Sequence, residues 1–172
     1  MSKGILALMA ALILVSTPLF AKELKIGYID SEAILSQYPD YQEAQRKLQE
    51  EEQKYLAEAQ AKESVMQSML EEIQQQSLML SPEARSEREQ KVLEKRRDLE
   101  EFRISTWGDG GKLYAKNLEL SRPILEKINQ VIEKVSQQDG YDMVFDAAGG
   151  NIVFALPQHD ITEIVLEELK KE

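Results

Sequence analysis

The residue types that usually carry out catalysis or bind metals are scarce in this sequence. His159 is the only histidine, and no cysteine occurs among the 172 residues. A metal centre or a histidine-based catalytic arrangement at His159 would therefore lack partners. Paired carboxylates could exchange protons with a substrate, and four acids flank predicted strands: Asp30, Glu32, Asp142 and Asp146. Acids in such places usually cap helices or face water, so we expect no catalytic residue, metal or cofactor.

A glycine-rich stretch, Gly-Asp-Gly-Gly-Lys at residues 108–112, superficially resembles a phosphate-binding loop. It lacks the GxxxxGK[ST] spacing and a preceding strand. Each glycine inside a helix costs roughly 1 kcal/mol relative to alanine, so the stretch predicts a break in a helix. Gly108, Gly110 and Gly111 could form a hinge, and the alternative is a harmless surface kink.

The charge balance excludes one large class of partners. Acidic residues number 31 and basic residues 21, which gives a formal net charge of −10 at pH 7. Broad nucleic-acid binding needs clustered lysine and arginine facing phosphate. We therefore expect no nucleic-acid partner.

The first 21 residues have the pattern of a secretory signal. Lys3 precedes an apolar run at residues 5–15, which is too short to span a bilayer, and the small residue Ala21 follows before charge begins. Without cysteine the new N-terminus cannot carry a lipid-modified cysteine. We expect cleavage after Ala21 and export of the mature protein.

Two long charged helices are predicted within residues 40–111. Apolar and softer residues recur at alternating steps of three and four, which is a heptad seam: Leu48, Glu52, Tyr55, Ala59, Lys62, Met66, Met69, Ile73, Gln76 and Leu80. Ser81 suits a helix N-cap and Pro82 the first position of the next helix. About 40 residues at ~1.5 Å each reach ~60 Å, so we predict a projecting arm, an antiparallel helical hairpin with its turn near 80–82.

Residues 22–39 and 112–172 predict a small body. Alternating apolar residues indicate strands at 24–29, 141–146 and 152–156, with Gly149 and Gly150 joining the last two as a hairpin. Asp30 or Ser31 is expected to cap a short helix at 32–37. Regular apolar spacing from residue 113 to 135 predicts a packed helix, and residues 160–163 have the pattern of a capping box that opens a last helix.

A sheet of three strands per chain would leave exposed edges and be marginal alone. We therefore expect the sheet to be shared in an oligomer, through Ile26, Tyr28, Met143, Phe145, Ile152 and Phe154. The predicted fold class is α+β, with a small β body shared between copies and a long protruding antiparallel helical hairpin.

The order of signal, strand, long hairpin, two strands and terminal helix resembles the Skp/OmpH family of periplasmic chaperones. The segments that carry the resemblance are 24–30, RPILEKI at 122–128, GYDMVFD at 140–146, and 157–169 with its Asp-Ile-Thr. The resemblance covers the whole mature chain. It implies a homotrimer whose helical arms surround a cavity and hold unfolded outer-membrane proteins without ATP.

One departure from the family limits what is carried over. Its best-known members are strongly basic, whereas this chain is acidic, so electrostatic attraction to lipopolysaccharide or a membrane surface is uncertain and no such site is assigned.

Apolar residues toward the arm tip are the candidates for contact with such clients. They are Met66, Met69, Leu78, Met79 and Leu80, and the flexible thioether of methionine suits varied partners. The alternative for Met66 and Met69 is that they fill the seam inside the hairpin. The alternative for the whole protein is a structural coiled-coil scaffold or spacer of the cell envelope that binds one folded partner.

Overall fold

The computed structural model describes residues 23–171, so the signal predicted at residues 1–21 lies outside the described part. This described part is mostly helical, with one small pair of strands. In order, the elements are β1 (Ile26–Ile29), α1 (Ser31–Gln37), α2 (Pro39–Gln75), α3 (Pro82–Trp107), α4 (Lys112–Asp139), β2 (Met143–Asp146), a 3-10 turn (Pro157–His159) and α5 (Thr162–Leu169).

The two strands pair in parallel. Ile26 lies opposite Met143 and Tyr28 opposite Phe145. On the other edge of β1, the Ile161 N–H donates to the Tyr28 carbonyl oxygen at 2.9 Å. Parallel strands need a long crossover connection, and here all four helices from α1 to α4 form it.

The prediction of a third strand, and of a β-hairpin joining it to the second, is wrong for the described residues. Residues 152–156 form no strand within residues 23–171, and the sheet there has two strands. Alternating apolar residues favour a strand, but a strand also needs a partner edge. These residues instead line a groove with Ile26 and Phe145 of the two strands.

The hydrophobic core lies beneath the sheet, where α4 meets α1 and α5. The predicted apolar spacing of α4 is confirmed, because Ile124, Ile128, Val131 and Val135 are all buried. Ile34 of α1 and Leu166 of α5 are fully buried in the same cluster. Both ends of the chain therefore contribute to one core.

The junctions of α1 and α5 with the sheet are made by short polar side chains. Asp30 caps α1 as predicted, with its Oδ1 accepting from the Ala33 N–H at 2.9 Å. The predicted capping box at residues 160–163 is wrong, since α5 begins at Thr162 after the 3-10 turn. Asp160 instead accepts hydrogen bonds from the backbone and hydroxyl of Thr162, whose Oγ1 accepts from the Asp30 N–H at 2.9 Å.

Helix α3 runs back along α2. The Ser81 Oγ accepts from the Ala84 N–H at 3.2 Å and Pro82 is the first helical residue, as predicted. Helix α2, the first helix of the arm, ends at Gln75 rather than at the predicted Leu80, because residues 76–81 are needed to reverse the chain. Arg88 contacts Gln76 at 2.6 Å and Arg103 contacts Glu63 at 3.3 Å across the two helices.

An ion-pair cluster joins α5 to α4. Glu168 lies 2.7 Å from Lys134 Nζ and 2.9 Å from Lys171 Nζ. Hydrogen bonds from Lys134 and then Lys171 lower the pKa of Glu168 from 4.5 to about 2. Because this pKa is depressed in the folded state, its stabilising contribution is present above pH 4.5 and is lost as the pH falls toward 2.

The variant Glu168→Gln should therefore lower the free energy of unfolding at pH 7 and have a progressively smaller effect as the pH falls from about 5 to about 2. Urea titrations of both proteins across this range measure the difference. Glu167→Gln, at the exposed neighbouring position, is the control. A difference between wild type and Glu168→Gln that stays constant with pH would contradict the assignment.

Candidate functional site

Most of the residues considered for catalysis form structural hydrogen bonds, and the His159 Nδ1 lies 3.1 Å from the Ile26 carbonyl oxygen. Asp142 accepts from the Lys25 N–H at 3.0 Å, and Asp146 accepts from the Ser31 hydroxyl at 2.6 Å. Partial burial raises the pKa of Asp146, but the hydrogen bonds from Ser31 and the Ala148 N–H outweigh it, so this pKa lies below its ordinary value. Glu32 is exposed on α1. In residues 23–171, no group of three or more potential ligands is arranged to hold a metal ion.

The tip of the hairpin exposes apolar side chains to solvent. Leu78 is 99% exposed and Met79 is 87% exposed, whereas Leu80 is half-buried. Residues 64–84 include three glutamates and no lysine or arginine. The tip is therefore suited to apolar contacts.

Met66 and Met69 lie on the predicted seam and are half-buried. Met66 lines a groove of about 330 Å³ between α2 and α3, together with Leu70, Val92 and Leu93, and with Glu89 and Arg96 at its sides. We call this the arm groove. The methionine side chain thus contributes both to packing within the hairpin and to a surface that a partner could reach.

The arm groove belongs to a longer apolar side of the hairpin that the sequence analysis missed. Leu56, Leu70, Leu93 and Ile104 are all exposed. Leu56 lies about four helical turns before Leu70, and Ile104 about three turns after Leu93, so each pair shares a face of its helix. We call these four residues with the arm groove the arm face. In the sequence, Leu56 and Leu70 are two heptads apart and lie next to the seam positions. This spacing could have predicted an apolar face beside the seam.

The opposite side of the hairpin is more polar. A second groove of about 250 Å³ is lined there by Glu58, Ala61, Lys62, Val65, Lys95 and Asp98. Four of these six side chains are charged, so this side offers fewer apolar contacts. The hairpin is therefore asymmetric, with apolar residues concentrated on one side.

The predicted break in the return helix is confirmed, since α3 ends at Trp107 and α4 begins at Lys112. Gly110 has a φ of +70°, which other residues rarely adopt. A Cβ added to Gly111 would lie 2.7 Å from the Thr106 carbonyl oxygen, so glycine is also required there. The four residues 108–111 thus make a tight connection.

An aromatic cluster packs beside this break. The rings of Tyr55, Phe102 and Trp107 meet edge to face, with centroids 6.0 to 6.4 Å apart. The Lys62 and Lys112 ammonium groups lie 5.3 and 5.4 Å from the Phe102 ring centroid. Residues from α2, from α3 and from beyond the break therefore pack against one another. Beside them the side chain of Thr106 is buried, and its Oγ1 has no hydrogen-bond partner among the described residues.

The face of the sheet that turns away from the core is apolar and exposed. Gly27 and Ile29 are buried, whereas Ile26, Met143 and Phe145 are exposed and Tyr28 is half-buried. With Leu24, Leu156 and residues 151–155, several of these residues line a groove of about 770 Å³. Val153 is 98% exposed and Phe154 is 81% exposed, while Ile152 is half-buried. We call this surface the outer sheet face.

The phenol of Tyr28 on the outer sheet face remains neutral. Burial raises the pKa of the Tyr28 hydroxyl, and the nearby Asp160 carboxylate raises it further. Tyr28 therefore carries no phenolate charge at physiological pH.

None of the helices within residues 23–171 combines the length and the apolar character needed to cross a membrane.

Two threonines with opposite surroundings test how the hydroxyl groups contribute to stability. Thr106→Val removes a buried hydroxyl that lacks a partner, so we expect stabilisation by about 1 kcal/mol. Thr162→Val removes a hydroxyl bonded to both Asp30 and Asp160, so we expect a loss of ~1–3 kcal/mol. Chemical unfolding measures both, and destabilisation by Thr106→Val would contradict the assignment.

Comparisons with known proteins agree with this architecture. Residues 25–169 match the family model described as outer membrane protein (OmpH-like). The chaperone protein Skp of Yersinia enterocolitica is 26% identical over 146 residues, which cover 85% of this chain and 86% of that protein. The Skp of Vibrio cholerae serotype O1 is 23% identical over 146 residues, covering 85% and 83%.

A solved structure shows the same fold. The crystal structure of an outer membrane chaperone (OmpH-like) from Caulobacter crescentus CB15 matches with a TM-score of 0.76 at 13% identity, covering 87% of this chain and 85% of that one. The family model spans almost all of the described residues, so the resemblance seen in the sequence is confirmed. This chain belongs to the Skp/OmpH-like family of outer-membrane chaperones.

Proposed function

We propose that this protein is an ATP-independent holdase of the periplasm that binds unfolded outer-membrane proteins between its helical arms. The observation that carries the proposal is the apolar tip and arm face, which the chain leaves exposed. Family membership supports the choice of client, since the relatives are named as Skp chaperones.

The arm suits weak and reversible binding of many sequences. Its backbone groups are paired within helices, so a client meets side chains and no free strand edge. The arm-face side chains are scattered and each offers modest apolar area. A holdase must compete with aggregation yet release its client, and many weak contacts meet both needs.

Self-assembly would supply several arms at once. We propose a homotrimer in which residues 22–39 and 112–172 form the shared body and residues 40–111 form each arm. The exposed outer sheet face supports this proposal. A second support is that each chain has both a strand edge and a strand-like segment without a partner among the described residues. The edge of β2 away from β1 has no strand partner in residues 23–171, and residues 152–156 have none either. One copy could therefore pair with the next, through Ile26, Tyr28, Met143, Phe145, Ile152 and Phe154. The number three follows the family resemblance.

Two measurements on the mature protein test the proposal. Light scattering should give the mass of a trimer for the mature protein, and the trimer should suppress aggregation of a chemically unfolded β-barrel protein at near-stoichiometric ratio. A monomer, or a trimer that ignores the unfolded barrel, would contradict it. Saturable binding of one folded envelope protein, with no effect on unfolded clients, would favour a scaffold instead.

The double variant Leu78→Ser with Met79→Ser should weaken client binding roughly tenfold or more, because it removes two apolar side chains from every arm. Gln74→Ser with Gln75→Ser changes exposed polar residues close to the same tip and is the matched control. Client titrations with both variants, at equal trimer content, measure the effect. Equal affinities would remove the tip from the binding surface.

We also propose that Gly108, Gly110 and Gly111 let the arm bend to fit clients of different size. Trp107 is the only tryptophan and packs in the aromatic cluster at the break, so its fluorescence reports on this place. Bending should shift the Trp107 emission when an unfolded barrel free of tryptophan is bound. Unchanged emission at saturating client would rule out the hinge.

A further inference from the structure

The single histidine of the chain lies in the apolar groove of the outer sheet face. His159 ends the 3-10 turn, and its Nδ1 lies 3.1 Å from the Ile26 carbonyl oxygen. The groove around it is lined by Leu24, Phe145, Phe154 and Leu156, among others, and these four side chains are exposed. The imidazole therefore occupies an apolar surface that solvent still reaches.

Most of the charged groups on the elements around this groove form contacts with other residues. On the β1 side, Lys25 Nζ donates to the Asp139 carbonyl oxygen at 2.7 Å. On the β2 side, Asp142 accepts from the Lys25 N–H and Asp146 from Ser31. At the start of α5, Asp160 accepts from Thr162, and Glu163 is exposed. Tyr28 is the other titratable residue that lines the groove.

We propose that His159 makes self-assembly of this protein depend on pH, with the neutral imidazole favouring association. The inference rests on the proposed oligomer, in which a second copy covers the outer sheet face. The second copy is the occupant because the outer edge of β2 and residues 152–156, which have no strand partner within residues 23–171, border the same surface.

The direction follows from solvation. Covering the groove removes water from an imidazolium cation at a large cost and from a neutral ring at a small cost. The hydrogen bond to Ile26 is available to both forms before assembly, so it does not favour either form on association. Imidazole changes charge between about pH 5 and 8, so association releases protons and weakens as the pH falls through this range.

The effect multiplies with the number of chains. If the assembled state prefers the neutral ring tenfold, each of the three imidazoles lowers the association constant by a factor of about ten at low pH. The association constant of a trimer then falls about a thousandfold across the range. Carboxylates titrate mainly below pH 5.5 and contribute little within it.

Sedimentation equilibrium of the mature protein at pH 5.5, 6.5, 7.5 and 8.5, at constant ionic strength, tests the inference. The wild type should dissociate progressively toward low pH. His159→Gln removes the titrating ring and should flatten this dependence, while His159→Lys places a permanent charge in the groove and should weaken association even at pH 8.5. Where dissociation is too weak to detect, the rate of subunit exchange between labelled populations replaces it, and wild-type exchange should be faster at pH 5.5.

The outcomes separate this inference from the proposal on which it rests. An oligomer whose pH dependence is the same in the wild type and in His159→Gln would overturn the role of His159 and leave the oligomer intact. A wild-type monomer at every pH would overturn the proposed assembly itself, and this inference with it.

Discussion

The parallel pairing of β1 with β2 is the interaction on which the rest of the structure depends. It joins residues 26–29 to residues 143–146, and backbone hydrogen bonds extend it at both ends, from Asp142 to Lys25 and from Ala147 to Ile29. A parallel pair requires a crossover connection. Here the crossover includes the whole helical arm, so both ends of the arm are fixed to one small core.

Because the core is small, two kinds of apolar surface remain exposed, and they differ in whether backbone hydrogen-bonding groups are available beside them. The outer sheet face lies beside an edge of β2 that has no strand partner among the described residues, and such an edge can pair with another chain through directional hydrogen bonds. The arm face and tip lie on helices whose backbone groups are paired internally, so only side chains are available there. A surface of the first kind is suited to durable association between copies, and one of the second kind to reversible contact with varied partners.

The arm joins the body in two different ways, because α2 runs unbroken from Pro39 to Gln75 whereas the return side is interrupted. The glycine connection at residues 108–111 separates α3 from α4, and the cluster of Tyr55, Phe102 and Trp107 bridges the separation. The unpartnered hydroxyl of Thr106 nearby is an opposing cost. On the return side, the junction of α3 with α4 therefore depends on a small set of side chains beside the break.

The sequence by itself determined the features that depend on neighbouring residues. The long helices, the Ser81 and Asp30 caps and the break at residues 108–111 follow from local spacing and backbone preference, because helical hydrogen bonds join residues only four apart. Only the tertiary structure decided that β1 and β2 are parallel, that residues 152–156 remain unpaired, and that Leu56, Leu70, Leu93 and Ile104 are exposed. Strand pairing and exposure depend on residues distant in sequence, and the alternation at residues 152–156 shows strand preference without naming a partner.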